Sequence, residues 1–192
     1  MQPLIDHARA HGQRPQDFAR LAAGQSPQAL FITCSDSRVV PALITGARPG
    51  ELFELRTAGN IVPPYTSARP TGEAATIEYA VNVLGVTDVV VCGHSHCGAV
   101  GALVRGDDLT AVPAVRDWLA HASERPRGAA GDPAVAEAVQ SHVLTQLLRL
   151  RSYPCVADRL TDGRLRLHAW FYEVHTGVVR EHRPDTDTFE AL

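Results

Sequence analysis

Two short apolar runs, each followed by a loop that carries cysteine or histidine, constrain the fold more than any other feature of the sequence. Residues 29–33 read ALFIT and residues 87–92 read TDVVVC. Continuous apolar stretches of this length are typical of strands that are covered on both faces, as in a parallel sheet. We therefore expect two buried strands whose carboxyl ends meet at one edge of the sheet.

Helical patterns alternate with these runs. Residues 73–84 place Ala74, Ile77, Val81 and Leu84 on one helical face, with Gly85 at the C-terminal cap position. A second helix is predicted to begin at Asp132, an N-cap followed by Pro133, and to turn five apolar side chains inward: Val135, Val139, Val143, Leu147 and Leu150. Residues 166–172 predict another strand, which a turn at residues 175–177 joins to residues 178–179. The predicted fold class is α/β, with a central, mostly parallel sheet flanked by helices and a C-terminal antiparallel hairpin at the edge.

Size and charge restrict the class of protein further. The 192 residues, of which 45% are hydrophobic, predict a single domain over residues 1–192, in which residues 1–24 form an N-terminal helical arm. The formal net charge is -3, and residues of both signs are scattered along the chain. The sequence therefore has no basic stripe, which argues against a nucleic-acid partner. No apolar run approaches the ~20 residues that a membrane span needs, and the charged N-terminal sequence differs from a signal peptide. We expect a cytoplasmic protein that acts on a small molecule.

Three potential metal ligands follow the two predicted strands. Cys34 comes directly after the first, and His94 and Cys97 come after the second. Two thiolates and one imidazole form a set that suits zinc, and three protein ligands leave the fourth tetrahedral position open, as in catalytic zinc sites. In a reducing cytosol, cysteines at such positions indicate metal binding more than a disulfide.

The motifs around these ligands resemble those of a known family. The segments CSDSR (34–38), RTAGNIVPP (56–64), IEYAV (77–81) and GHSHCG (93–98) look like the β-class carbonic anhydrases, above all the plant chloroplast and bacterial cyanate-operon branch. The resemblance implies zinc-dependent, reversible hydration of carbon dioxide to bicarbonate, with one Zn²⁺ per chain. It also implies a homodimer or a larger assembly of dimers. The residues that it assigns are Cys34, His94 and Cys97 as zinc ligands, Asp36 and Arg38 as catalytic dyad, and Gln25, Phe53, Ala58 and Tyr79 as substrate-binding residues.

The chemistry of these residue types agrees with the implied roles. Zinc lowers the pKa of a bound water from about 15.7 toward ~7, which provides hydroxide at neutral pH to attack carbon dioxide. Asp36 can accept the hydroxide proton and aim its lone pair, while Arg38 keeps that carboxylate ionised. Gln25 can stabilise charge that develops on oxygen, and Phe53 and Tyr79 can contact the apolar substrate.

Some positions depart from the family pattern or leave a role open. Thr57 stands where the family usually has asparagine, which changes local hydrogen bonding. His96 could carry protons but does not belong to the predicted catalytic set.

Phe31, Arg56 and Tyr172 match a second bicarbonate site of another branch, where tryptophan, arginine and tyrosine hold the anion. Because Phe31 lacks the indole N–H, we predict an open site and no cooperative inhibition by bicarbonate.

The sequence can be compared with three alternative functions, of which the first finds little support. A zinc deaminase needs a Cys-x-x-Cys pair and a glutamate beside the histidine, and the chain has neither. The same zinc site could instead hydrolyse carbon disulfide or a related linear molecule. Asp36 could also close the coordination shell permanently and make the site structural.

Overall fold

A six-stranded sheet organises the computed structural model, which describes residues 1–12, 18–122, 126–129 and 131–192. The strand order is β2-β1-β3-β4-β5-β6. Strands β1 to β4 run parallel, and β5 and β6 are antiparallel to their neighbours. This arrangement confirms the predicted α/β fold, and β6 extends the predicted hairpin by one strand. The strand bounds are β1 Ala29–Cys34, β2 Leu52–Thr57, β3 Asp88–His94, β4 Arg166–Tyr172, β5 Val179–Arg183 and β6 Thr188–Ala191.

Helices occupy most of the connections between the parallel strands. The predicted helix over residues 73–84 is confirmed as α4 followed by one π turn, Tyr79–Val83. Thr71 caps its start by accepting a hydrogen bond from the backbone N–H of Ala74. The helices are α1 Gln2–His11, α2 Phe18–Ala22, α3 Pro41–Thr45, α4 Gly72–Glu78, α5 Gly98–Arg105, α6 Pro113–Leu119, α7 Ala136–Leu150 and α8 Pro154–Thr161.

Helix α7 begins later than the sequence predicts. The expected start at Asp132 is wrong, because the helix begins at Ala136 after a tight turn in which Val135 has a φ of 47°. The carboxylate of Asp132 accepts hydrogen bonds from the backbone N–H groups of Ala134 and Ala136, at 2.8 and 2.9 Å. Asp132 therefore accepts from one N–H group in the turn and from the first N–H group of the helix. It does so as a residue four positions before the helix and not as the N-cap itself.

The core lies on both faces of the two central strands. In β1 and β3, every residue after the first is buried. Helix α7 packs closely on β3 at Gly93, where an added Cβ would lie 2.5 Å from Val139 and 2.6 Å from Val143. On the opposite face, the ring of Phe31 meets that of Trp170 edge-on with 5.9 Å between centroids. The central strands, and the residues that follow them, are thus held in fixed positions.

The N-terminal helix makes no comparable contribution to the core. None of the residues of α1 is buried. Helices α1 and α2 fall within the predicted arm, residues 1–24, of which residues 13–17 lie outside the described part of the chain. The single domain and its arm stay predictions. In the part of the chain that the structure describes, no helix combines the length and apolar character of a membrane span.

Candidate metal centre

The three predicted metal ligands meet at the carboxyl edge of the sheet. Cys34 is the last residue of β1, His94 is the last residue of the adjacent β3, and Cys97 directly precedes α5. One ligand atom from each lies within 4.8 Å of the other two, and all three residues are buried. Because β1 and β3 are parallel neighbours, residues that are 60 positions apart in the chain converge here.

The imidazole of His94 is oriented as a metal ligand. Its Nδ1 lies 2.9 Å from the backbone oxygen of Ser95, which can only accept, so Nδ1 carries the proton. Its Nε2 is buried and has no hydrogen-bond partner among the described residues. A buried, unpaired lone pair is costly, and a metal ion would satisfy it.

The two thiols compete for one negative charge. Interaction with the neighbouring thiol of Cys97 lowers the pKa of Cys34, and this effect exceeds the opposing effect of burial. Interaction with Cys34, together with burial, raises the pKa of Cys97. A cation between the sulfurs would allow both to be thiolates, as binding of a divalent metal requires. The donor set therefore fits zinc on two independent grounds, the unpaired nitrogen and the paired sulfurs.

Asp36 and Arg38 form a forked ion pair in the loop that follows β1. Arg38 donates from Nε to Oδ1 of Asp36 at 2.9 Å and from Nη2 to Oδ2 at 2.7 Å. Hydrogen bonding by the Arg38 side chain holds the pKa of the Asp36 carboxyl well below its usual range. Oδ2 of Asp36 lies 3.8 Å from Nε2 of His94. An ionised carboxylate is therefore fixed beside the ligand set, with both of its oxygens bonded to the guanidinium.

Arg56 holds this loop in place through a contact that the sequence did not predict. Its Nη2 donates to the backbone oxygens of Asp36 at 2.9 Å and Val39 at 2.7 Å, and also to that of Cys34 at 3.2 Å. The sequence matched Arg56 to a second anion site of another branch, and we predicted that this site does not operate here. In the structure this guanidinium nitrogen is engaged by three carbonyls of the chain itself.

The turn after β2 contacts the metal centre through its backbone. The N–H of Gly59 points to Sγ of Cys34, with 3.4 Å between nitrogen and sulfur. The carbonyl of Gly59 accepts from Nε2 of His142 at 2.8 Å, and that of Ala58 accepts from Nε1 of Trp118 at 2.8 Å. Burial lowers the pKa of His142 to about 4, so this ring is a neutral donor. His142 and Trp118 were missed because main-chain contacts of this kind leave no spacing signal in a sequence.

The four predicted substrate-binding residues separate into two groups. Ala58 belongs to the turn just described, beside the metal centre. Phe53 pairs with Leu30, four positions before Cys34, which places it ~13 Å back along the strand. The ring centroids of Phe53 and Tyr79 are 5.9 Å apart. Gln25 precedes β1 and lines a surface pocket together with Gly50, which precedes β2. Gln25, Phe53 and Tyr79 thus lie toward the opposite end of the strands, and one chain does not bring them to its own ligands.

Comparisons with known proteins agree on one family. The carbonic anhydrase family model matches residues 29–179. The carbonic anhydrase of Pseudomonas aeruginosa is 51% identical over 176 residues, which cover 88% of this chain and 80% of the relative. That of Synechococcus elongatus is 47% identical over 170 residues, 84% of this chain but only 62% of the relative. The solved structure of the β-carbonic anhydrase CcaA superimposes with a TM-score of 0.89 at 38% identity, over 100% of this chain and 99% of the other.

Proposed function

The chain belongs to the β-class carbonic anhydrases, and from this premise we propose which of its residues carry out each part of the reaction. It is an enzyme that uses zinc to interconvert carbon dioxide and bicarbonate. The observation that supports the assignment most directly is the meeting of Cys34, His94 and Cys97, with the unpaired Nε2 of His94 among them. Membership of this family leaves the deaminase and the purely structural zinc site without support.

We assign the ligand role to those three side chains. A zinc ion held by two thiolates and an imidazole supplies the Lewis acidity that activates water as a nucleophile near neutral pH. The hydrogen bond from Nδ1 of His94 to Ser95 keeps the lone pair of Nε2 directed into the site. Burial of all three side chains keeps competing solvent out.

Asp36 and Arg38 are assigned as the catalytic dyad. The ionised carboxylate accepts a hydrogen bond from the attacking water or hydroxide, which directs a free lone pair of that oxygen toward the carbon of carbon dioxide. The fork from Arg38 keeps Asp36 ionised at neutral pH and fixes its direction. This pairing also supports the open form of the site, in which Asp36 stays with Arg38 and does not bind the metal.

The remaining substrate-binding residues lead us to propose a homodimer with shared pockets. Gln25, Phe53 and Tyr79 are too far from the ligands of their own chain, and Tyr79 is 45% exposed. A two-fold axis would bring this group to the metal centre of a second copy, and the second copy's group to the first. Helix α1, which has no buried residue in its own chain, supplies further surface for such a contact.

The surface beside the metal centre is suited to receive that group. Ala58, Val115 and Trp118 line an open, mostly apolar pocket there, and Val115 is 42% exposed. Aromatic rings from a second chain would cover this surface and complete a site for an apolar substrate. The amide of Gln25 would then contribute the polar contact to oxygen.

We also propose that the enzyme works in the cytoplasm. All four cysteines are unpaired, and two of them must stay reduced to bind zinc. A reducing compartment maintains thiols in that state.

The proposed ligand set is tested by measuring zinc content together with the initial rate of carbon dioxide hydration in a stopped-flow spectrometer. We expect one zinc per chain in the unchanged protein, and loss of most zinc and activity in Cys34→Ser and Cys97→Ser, because a hydroxyl is a poor ligand for this metal. Cys155→Ser is the matched control, since Cys155 lies outside the ligand cluster. Full zinc occupancy in both ligand variants would contradict the assignment.

A further inference from the structure

A single peptide group connects Trp118 with a metal ligand. The peptide between Ala58 and Gly59 accepts a hydrogen bond from Nε1 of Trp118 at its carbonyl oxygen, over 2.8 Å. The N–H of the same peptide donates to Sγ of Cys34, with 3.4 Å between the heavy atoms. The indole of α6 and the thiolate of β1 therefore act on opposite ends of one dipole.

We propose that Trp118 is a positioning residue of the metal centre, which acts through the Ala58–Gly59 peptide on the thiolate of Cys34. A hydrogen bond accepted at a carbonyl polarises the peptide and makes its N–H a stronger donor. A stronger N–H donor withdraws charge from the thiolate, and donors around a ligand tune how the metal behaves. Loss of the indole N–H leaves the sulfur richer in electrons and the peptide free to tilt.

Other contacts of the turn indicate that the orientation of this peptide is tightly constrained. Gly59 has a φ of 74°, and an added Cβ would lie 3.1 Å from Cβ of Ala99. His142 holds the next peptide by donating to the carbonyl of Gly59 at 2.8 Å. Trp118 and His142 thus fix two successive carbonyls, and the Gly59 N–H between them has one direction, toward Cys34.

Simple packing is the alternative role for Trp118. Its partly buried ring packs against the cluster of Ile61, Leu119 and Ala122, and a packed indole usually finds some acceptor for its N–H. Packing depends on the ring, whereas the proposed role depends on the N–H alone. Variants that remove only the N–H therefore separate the two roles.

The first experiment compares Trp118→Phe with Trp170→Phe. Trp170 is the matched control, because its indole N–H donates at 3.3 Å to Glu181 and not to the turn beside the ligands. Zinc affinity is measured by competition with a chromophoric chelator, and the sulfur-to-metal charge-transfer band is measured after cobalt(II) replaces zinc. For Trp118→Phe we expect about tenfold weaker zinc binding, because the freed peptide no longer holds the Cys34 sulfur in position. We also expect a band at lower energy and a hydration profile whose midpoint moves to higher pH, because the sulfur is richer in electrons. Trp170→Phe is expected to match the unchanged protein in all three measurements.

A second variant covers the case in which phenylalanine disturbs the packing. The chain has two tryptophans, so in the Trp170→Phe background Trp118 alone can be replaced by benzothienylalanine, in which sulfur takes the place of the indole N–H. This isostere keeps the shape of the ring. We expect the same shift of the cobalt band and the same loss of zinc affinity, with a melting temperature close to that of the background protein.

The inference rests on the proposed ligation of zinc by Cys34, and the two can fail separately. Retention of zinc in Cys34→Ser would overturn the ligand assignment. If Cys34→Ser loses zinc but both Trp118 variants keep the zinc affinity and cobalt band of their controls, Trp118 only packs and the inference is wrong.

Discussion

At the scale of single residues, the charge of Asp36 carries the proposed chemistry. Asp36→Asn keeps the shape of the side chain, but it replaces one acceptor oxygen with an NH2 donor and leaves Arg38 without its counter-charge. We expect the hydration rate at saturating carbon dioxide to fall by ~10²-fold or more while zinc content stays the same. Stopped-flow kinetics and metal analysis on the same preparation check both parts.

Asp107 offers a matched control for this change. Arg105 donates to Asp107 through the same forked geometry, from Nε at 3.1 Å and from Nη2 at 2.7 Å, on the surface after α5. An exposed pair of this kind contributes little to stability. Asp107→Asn is therefore expected to leave hydration unchanged, and equal losses in the two variants would remove Asp36 from the catalytic set.

Gly59 provides a second prediction at this scale. Gly59→Ala has to adopt a φ of 74° and to displace Ala99, so it moves the N–H away from Cys34. We expect a loss of ~1–2 kcal/mol in stability and weaker zinc binding. Gly46 has a similar φ of 70° with nothing within 4 Å of an added Cβ. Gly46→Ala should thus lose similar stability but keep its zinc affinity, as chemical unfolding and chelator competition would measure.

At the scale of elements, His142 makes the contact between α7 and the turn after β2 dependent on pH. Its pKa is lowered by burial from 6.5 to about 4, so the unfolded chain binds more protons between these values. The neutral ring stabilises the fold fully above pH 6.5, and this stability is lost as the pH falls toward 4. The loss amounts to roughly 3 kcal/mol.

His142→Gln isolates this effect, since glutamine can still donate to the carbonyl of Gly59 but does not titrate. We expect the free energy of unfolding of the unchanged protein to fall more steeply than that of the variant between pH 6.5 and 4. The titrating metal ligands are common to both proteins and cancel in the difference. Parallel curves would show that His142 is not the group responsible.

The elements also show where prediction from the sequence succeeds and where it stops. Strands β1 and β3 were predicted because both of their faces are buried, which leaves a continuous apolar run. Strand β2 was missed, since only Leu55 and Thr57 in it are buried and Glu54 is exposed. Strand β6 is short and mostly exposed, so it carries little apolar signal.

For the site, the ligands were predicted because residue type and strand position together specify a zinc set. Trp118 and His142 were not, because each acts on a main-chain carbonyl 60 or 83 positions away. Every residue type has a main-chain carbonyl, so the sequence of the turn does not show which side chain donates to it. Such contacts emerge only from the packing of α6 and α7 on the sheet.

At the scale of the whole molecule, the proposed homodimer with shared pockets predicts complementation between two inactive chains. Asp36→Asn damages the metal side of the pocket, and Tyr79→Ala damages the side donated to the partner. After unfolding and refolding at equal amounts, half of the dimers combine one chain of each kind, and each of these has one intact pocket. Recovery should reach about a quarter of the unchanged activity, as a hydration assay after refolding would measure.

Mixing Asp36→Asn with Cys34→Ser is the control for this experiment. Both changes lie on the metal side, so no combination of the two chains restores a pocket. Recovery in the control as large as in the test mixture, or none in the test mixture, would contradict a pocket built from two chains.

The order of the contacting residues along the chain has a consequence for synthesis on the ribosome. Cys34, His94 and Cys97 leave the exit tunnel before Trp118 and His142, which hold the turn at Gly59. A nascent chain that ends shortly after α5 therefore contains every ligand but lacks the groups that orient the donor to Cys34. We expect such a chain to take up zinc weakly and to release it readily. We expect firm capture of the metal only after translation has passed α7, when Trp118 and His142 can both hold the turn.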